Sequence, residues 1–454
     1  MENLSRIYSK FATEIQFEDL PPEVVLQTKK SILDFLGVAL IGSTTQVAGI
    51  VFDYFSEIGG KPEAILLGKK RRVPAIHAAL INGIFAHALE LDDGHRWSGI
   101  HPGSPTIPAA LAAAELSATL GKELIVATVV GYEITLRIGK AINPSHLLRG
   151  FHSTGTVGPF GAAAAAGRIL GLDSERMIQA LGLAGLHASG LLQVMHEGGM
   201  AKPFNPGRAA SGGLLSAQMA MKGIMAPEHI LEGEKGFLRA MSDKTEAKWL
   251  TDGLGTRFEI SKIYFKIHSS CRHTHPAIDA LLKILRQELP DPNRIERIRV
   301  ETYPVAIQFC GHELGEGTLT TADAKLSLPF SLALAAFNGS CDTDVFNQRE
   351  LARAEVRGLA ERIELAASEK WENLYPEKRG ASVSVWINGR VLKSEVDLAR
   401  GEPEDPISTD ELYKKFQTNA TQVIPIEQAQ RLQEVIMDLE RIPVSTMTKL
   451  LASG

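Results

Sequence analysis

A chain of 454 residues exceeds one ordinary core, so two domains or three are expected. Its 44% hydrophobic and 22% charged residues suit a soluble globular protein, and a net charge of −5 leaves no basic footprint for nucleic acid. Three scattered cysteines (Cys271, Cys310, Cys341) form no disulfide or zinc framework, and without an apolar signal core or a run of about 18 apolar residues the expectation is a cytoplasmic protein outside membranes.

To about residue 262 the pattern is helix after helix. Pro21-Pro22 opens a segment with Val25, Ile32, Leu33, Leu36, Ala39 and Leu40 at helical spacing. The Ala-rich stretch from Ala75 to Leu89, then Pro108–Leu120, Glu123–Ile142, the alanine run after Gly161, Ser174–Leu192 and Ala209–Met221 continue it. Alanine and glycine at this density let helices approach closely, which predicts a tightly packed helical domain. The texture changes near Lys266. Residues 298–303 alternate apolar with polar as a half-buried strand does, and residues 382–387, Asn388-Gly389 and 391–396 read as a hairpin with a type I′ turn. Helical patterns at Pro276–Leu289, Thr321–Phe337 and Asn347–Leu359 lie between the strands. A linker (Gly401–Pro406) leads to Ser408-Thr409-Asp410-Glu411, a capping box that opens the last helices. Those helices alone bury too little surface and should return to the first part. The expected fold is therefore mainly α: a helical domain from residues 1–265 and 401–454, and a smaller α+β domain over 266–400.

Four polar clusters interrupt this pattern. The first is Glu90-Leu91-Asp92-Asp93-Gly94-His95 with His101-Pro102. Acids two and three residues apart cannot all leave one apolar helix face, so some lie at the helix end or in the loop beyond. Carboxylates and imidazoles beside a large core are suited to proton transfer, although a solvated turn has the same letters. The second, Gly150-Phe151-His152-Ser153-Thr154, enters a helix whose N-terminus offers N–H groups to an anion; His152 there could be acid, base or carboxylate ligand. In the third, Lys202 and Arg208 flank a glycine-rich loop and could hold substrate carboxylates. The fourth runs from Lys266 through His268, Cys271, Arg272 and His273 to His275. A zinc site from His273 and His275 with His95 or His101 matches no standard ligand spacing and has no cysteine pair behind it, and Cys271 reads as a small buried thiol. No dinucleotide fingerprint, Walker loop or nucleophile elbow occurs. Loops of two domains carrying acids, imidazoles and cations imply a cleft for cofactor-free acid–base chemistry on an anionic substrate.

Four motifs then carry a resemblance: His87-Ala88-Leu89-Glu90-Leu91-Asp92-Asp93 with His101-Pro102; Gly150-Phe151-His152 with the Ala-rich helix; Lys202 with Gly207-Arg208-Ala209-Ala210; and Cys271-Arg272 with Thr274-His275-Pro276-Ala277-Ile278-Asp279. Over nearly its whole length the chain resembles the MmgE/PrpD family of 2-methylcitrate dehydratases, cis-aconitate decarboxylases and iminodisuccinate epimerases. The resemblance implies an all-helical domain from both chain ends, an inserted α+β lid, a homodimer, and an active site that uses neither metal nor organic cofactor. It also implies that His101, His152, Lys202 and His275 are active-site residues, with Lys266 and Arg272 in the same lid stretch. Three positions depart from the pattern. Glu90 stands where many members carry Asp, Gly94 where many carry Thr, and Phe330 where the decarboxylases carry an active-site Tyr.

The reaction expected is elimination of water from a hydroxylated di- or tricarboxylate. One group removes the proton α to a carboxylate, Lys202 with Arg272 stabilises the enediolate-like charge, and a protonated His101 or His152 assists the leaving hydroxyl. The alternatives are an epimerase or isomerase using a second base among Glu90 to Asp93, a decarboxylase of the cis-aconitate type, and a non-catalytic carboxylate-binding homologue.

Overall fold

Helices occupy the stretches where apolar residues recur at three- and four-residue spacing, in a computed structural model that describes residues 3–288, 291–311 and 320–452. They include α1 (Pro22–Gly42), α2 (Ala75–His87), α3 (Gly103–Glu115), α4 (Gly121–Ile142), α5 (Ser153–Ile169), α6 (Ser174–Gly185) and α7 (Phe204–Met221). α5 is buried from Ser153 to Gly167, and α2 and α4 are almost as enclosed. Small side chains make this depth attainable. A Cβ on Gly213 of α7 would stand 2.4 Å from the Ala162 Cβ of α5, so only glycine allows that approach.

After α8 (His275–Glu288; residue 289 lies outside the described residues) comes β1 (Ile295–Thr302), then α9 (Thr321–Leu326) and α10 (Leu328–Asn338). The single helix expected over Thr321–Phe337 is broken at Ser327, whose side chain caps the Phe330 N–H while Pro329 occupies the first turn of α10. A residue near a proline leaves helical geometry readily, so a cap and a restart replace a continuous helix. The Asn347–Leu359 pattern is likewise split, at Arg353. β2 (Ile363–Ala367), β3 (Ala381–Ile387) and β4 (Arg390–Val396) complete a four-stranded sheet of order β2-β1-β3-β4. β1 pairs in parallel with β2 and antiparallel with β3, and Ile298 sits opposite both Ile363 and Val385. Asn388 (φ +50°) and Gly389 (φ +70°) form the tight turn between β3 and β4. Alternate residues Ala381, Val383, Val385 and Ile387 are buried, the period-2 pattern of a one-sided sheet.

The Ser408 capping box opens α11 (Thr409–Ala420), followed by α12 (Ile426–Met437) and α13 (Val444–Ala452). These pack on the N-terminal helices. Phe416 touches the site where Gly37 lacks a side chain, and the Gly121 N–H donates to the Ile442 carbonyl at 2.8 Å. Accordingly, one large apolar cluster joins Leu36, Phe85, Ile125 and Leu214 to Phe416, Leu432 and Met447. A second gathers Leu281, Val300, Leu332 and Val385, together with Leu192 and Met195 from the loop before α7. The fold is mainly α with small sheets. Among the described residues no single helix is long and apolar enough to cross a membrane; α1 and the helix Gln46–Ile58 are apolar together but bent by 83°.

Candidate active site

α2 ends at His87, and the loop that follows stays buried, so its backbone must find partners away from water. Distant side chains supply them. Ser269 Oγ donates to the Leu89 carbonyl (2.7 Å), Lys266 Nζ to that of Glu90 (3.0 Å), Lys415 Nζ to that of Leu91 (3.0 Å) and His101 Nδ1 to that of Asp93 (2.6 Å). Glu90 itself adopts φ +52°, a costly conformation for a residue with a Cβ, and the surrounding partners hold it there.

The carboxylates of this loop differ in state. Glu90 Oε1 pairs with Lys202 Nζ, and Oε2 lies 3.4 Å from Lys266 Nζ, so the glutamate spans two ammonium groups. Burial pushes its carboxyl up, but Lys202 and Lys266 outweigh that and hold it well below the ordinary range. Asp92 bonds His87 Nδ1 at 2.7 Å and lies 3.5 Å from His101 Nδ1; burial opposes its ionisation, and the imidazoles with Lys266 prevail. Asp93 behaves oppositely. Burial, reinforced by Asp92 and Asp34, raises it to about 8 despite hydrogen bonds from the Tyr132 hydroxyl (2.7 Å) and the Gly103 N–H (3.1 Å).

Three imidazoles cluster beside these acids, with ring centroids 5.1 Å apart for His87 and His101 and 5.7 Å for His87 and His152. Burial lowers His101 to about 3, and it lowers His152 well below the ordinary histidine value with help from Lys202. Both are therefore neutral near pH 7, in different tautomers. The Asp93 carbonyl obliges His101 to carry its proton on Nδ1, which leaves Nε2 as an acceptor. Asn205 Nδ2 donates to His152 Nδ1 (3.0 Å), so the His152 proton sits on Nε2. Asn205 lies in the first turn of α7, close behind Lys202, and His152 caps α5.

Glu90, His101, His152 and Lys202 line a cavity of about 270 Å³ together with Tyr264, Cys271, Arg272, His273, Phe309, Tyr375 and Arg379. Arg96, Trp97, Leu192 and Met195 also line it. Of its lining residues, Leu192, Met195, Cys271 and Phe309 belong to the second apolar cluster. Tyr264 fills the space that Gly94 leaves: a Cβ on Gly94 would lie 2.3 Å from the Tyr264 hydroxyl, and the two residues are partners in a short antiparallel pair.

Other residues named from sequence lie behind the wall. Lys266 is wholly buried and clamps Glu90. Asp93 and His275 are not among the lining residues; His275 is held by Arg272 (3.1 Å) and the Ser270 carbonyl (3.2 Å). Arg208 donates to the carbonyls of His187, Gly155 and Ser189, bracing the loop before α7 rather than facing the cavity. Phe330 is packed in the second apolar cluster. Arg272 lines the cavity, yet all its N–H groups are engaged by Glu402, His275 and the carbonyls of Ala399 and Arg400. Sequence reasoning did not select Arg96, Tyr264, His273 or Arg379 as site residues. Arg96 and His273 sit inside two of the polar clusters and could have been chosen; Arg379 has no such neighbours.

The zinc set considered from sequence is not assembled, because His95 pairs with Glu259 and Ser98 while His275 is engaged as above. Among the described residues, His87, Asp92 and His101 lie close enough to share an ion. Lys266 Nζ at 3.9 Å from Asp92, and the His101 Nδ1 proton committed to a carbonyl, make that trio a poor cation site.

The comparisons with known proteins agree on one lineage. The MmgE/PrpD N-terminal domain matches residues 6–250, and the MmgE/PrpD C-terminal domain matches residues 268–441. The chain belongs to the MmgE/PrpD family. A cis-aconitate decarboxylase-like protein of Aspergillus oryzae is 29% identical, over 96% of this chain and 95% of that protein. The cis-aconitate decarboxylase of Aspergillus terreus is 27% identical (95% and 92% covered), and that of Homo sapiens 26% (99% and 95%). The chain thus spans 92–95% of the length of these relatives.

Proposed function

We propose that this MmgE/PrpD protein is a lyase that develops and quenches negative charge on a carbon beside a carboxylate of a di- or tricarboxylate, and that its reaction is loss of carbon dioxide. The observation that carries the reading is one buried cavity holding the Lys202 ammonium with two neutral imidazoles of opposite tautomer. Full-length similarity to cis-aconitate decarboxylases supports the choice of carboxy-lyase over the dehydratase expected from sequence.

The chain's own groups supply the steps. Lys202, fixed by Glu90, faces a retained carboxylate and stabilises the charge that spreads onto it. The His152 Nε2–H donates to a second oxygen of the substrate. His101 moves the proton. Its imidazole is neutral because of burial and the nearby Lys266 and Lys202, and an anionic substrate opposes those cations, so binding favours protonation at Nε2. When the bond to the departing carboxylate breaks, its electron pair stays on carbon and carbon dioxide leaves. The His101 proton then goes to that carbon, and solvent restores it.

A second reading is favoured by the neutrality of His101: the same Nε2, acting as base, would remove an α-proton in a hydro-lyase. The epimerase reading is weaker, because Glu90 and Asp92 are both engaged in ion pairs and poorly suited as a second base. The same proposal makes residues 266–400 a lid over residues 1–265 and 401–454, opening to admit substrate. Chelator-treated protein incubated with cis-aconitate, citrate, 2-methylcitrate and aminated dicarboxylates, followed by proton NMR in D2O, separates the readings. The expected result is a product one carbon shorter with deuterium at the protonated carbon. Alkene formation from a hydroxy acid, or exchange at Cα without elimination, would displace it.

A further inference from the structure

We propose that Arg379 is the anchor for a carboxylate remote from the reacting carbon, which makes the substrate a polycarboxylate held at both ends; this rests on the function proposed above. The juxtaposition that points to it is an uncompensated guanidinium on the wall of the same cavity as Lys202.

The other cations around the cavity each touch a carboxylate. Lys202 and Lys266 share Glu90. Arg96 pairs with Glu402 and Glu404, and Arg272 with Glu402. Arg379 is 6% exposed, yet it forms no ion pair among the described residues. Its Nη2 donates to the Arg96 carbonyl, its Nε has no hydrogen-bond partner among the described residues, and its guanidinium lies 5.7 Å from the Tyr375 ring centroid. Glu402 acts on it only from a distance and is already in contact with Arg96 and Arg272, and a guanidinium keeps its proton at any working pH, so a buried cation is left with no carboxylate touching it. The missing partner is therefore an anion brought by the ligand, and the planar fork favours a carboxylate. Arg272 cannot serve in its place, since the protein already engages all its donors. With the reacting end beside Lys202, His101 and His152, a carboxylate on Arg379 would fix a second end of the substrate within the same cavity of about 270 Å³.

The test is a binding cycle by calorimetry on the full chain. The ligands are tricarballylate, which has no double bond or hydroxyl to react, and methylsuccinate, which lacks one terminal carboxylate. In the wild type, removing that carboxylate should weaken binding on the order of 100-fold; in Arg379→Gln the same removal should cost little, and tricarballylate itself should bind about 100-fold more weakly. The melting temperature of Arg379→Gln should be equal or higher, because an uncompensated buried charge is gone. If Arg379→Gln does not fold, Arg379→Lys takes its place, with a reduced carboxylate effect expected. Equal carboxylate effects in wild type and variant would overturn the anchor while leaving the lyase reading intact, provided the wild type turns over a polycarboxylate. A wild type that shows the cycle but processes none of the substrates would overturn the lyase reading and keep the anchor.

Discussion

Gly94 and Tyr264 show how the space one residue leaves is filled by another. The tyrosine hydroxyl and ring already occupy the position a Cβ on Gly94 would take, at 2.3 and 2.4 Å. Gly94→Ala should therefore force Tyr264 aside, lowering stability by about 1–3 kcal/mol and depressing kcat/KM together. Chemical unfolding and steady-state assays check this; an alanine variant with wild-type stability would mean that the tyrosine is free to move. Asp93 gives a second prediction at this scale. Its carboxyl is raised to about 8 in the fold against about 4 in an unfolded chain, so the native state holds the extra proton between those values. The Asp93 contribution to stability is thus full below pH 4 and lost as pH rises toward 8. Thermal melts of Asp93→Asn should gain on the wild type steadily across that interval; parallel profiles would show that Asp93 ionises normally.

At the scale of elements, the helices and the hairpin were legible because each carries a local signal. Periodic apolar residues mark α1 and α4, Asn388-Gly389 marks the β3–β4 turn, and Ser408 with Glu411 marks the start of α11. What failed was continuity. Apolar spacing ran through Ser327 and Arg353, where a cap and a restart broke the expected helices. β2, parallel to β1, was not seen at all, since its partner is more than sixty residues distant and its own five residues carry weak alternation. The site divides the same way. Clusters dense in polar letters exposed Glu90, His101, His152 and Lys202, whereas Arg379 ends a short charged run, Glu377-Lys378-Arg379, that looks like ordinary surface and reaches the cavity with Tyr375 and Pro376 through tertiary packing. Packing also yields a prediction. Gly213→Val would drive a branched side chain into Ala162 and Ala163 of α5, and the urea midpoint should fall by an amount equivalent to at least about 1–3 kcal/mol with an unchanged slope. An unshifted midpoint would mean that α5 and α7 do not meet as closely as described.

For the whole molecule, a net charge of −5 conceals a strongly cationic pocket, with Arg96, Lys202, Arg272 and Arg379 on its walls. Some of that charge is already balanced by buried acids, so the pocket is set to receive a limited number of carboxylates rather than any anion. Leu192, Met195, Cys271 and Phe309 of the second apolar cluster line it and help exclude water from the charges brought together there. The role proposed for the Lys202 ammonium in this pocket is to stabilise the charge left behind when a carboxylate departs. It is tested most directly by release of labelled carbon dioxide from carboxyl-labelled cis-aconitate, measured for wild type and Lys202→Ala side by side. Steady release is expected from the wild type, with a loss on the order of 10²-fold or more in kcat/KM for the variant and kcat falling as well as binding. Unchanged kcat in Lys202→Ala, or no release by the wild type, would contradict that role.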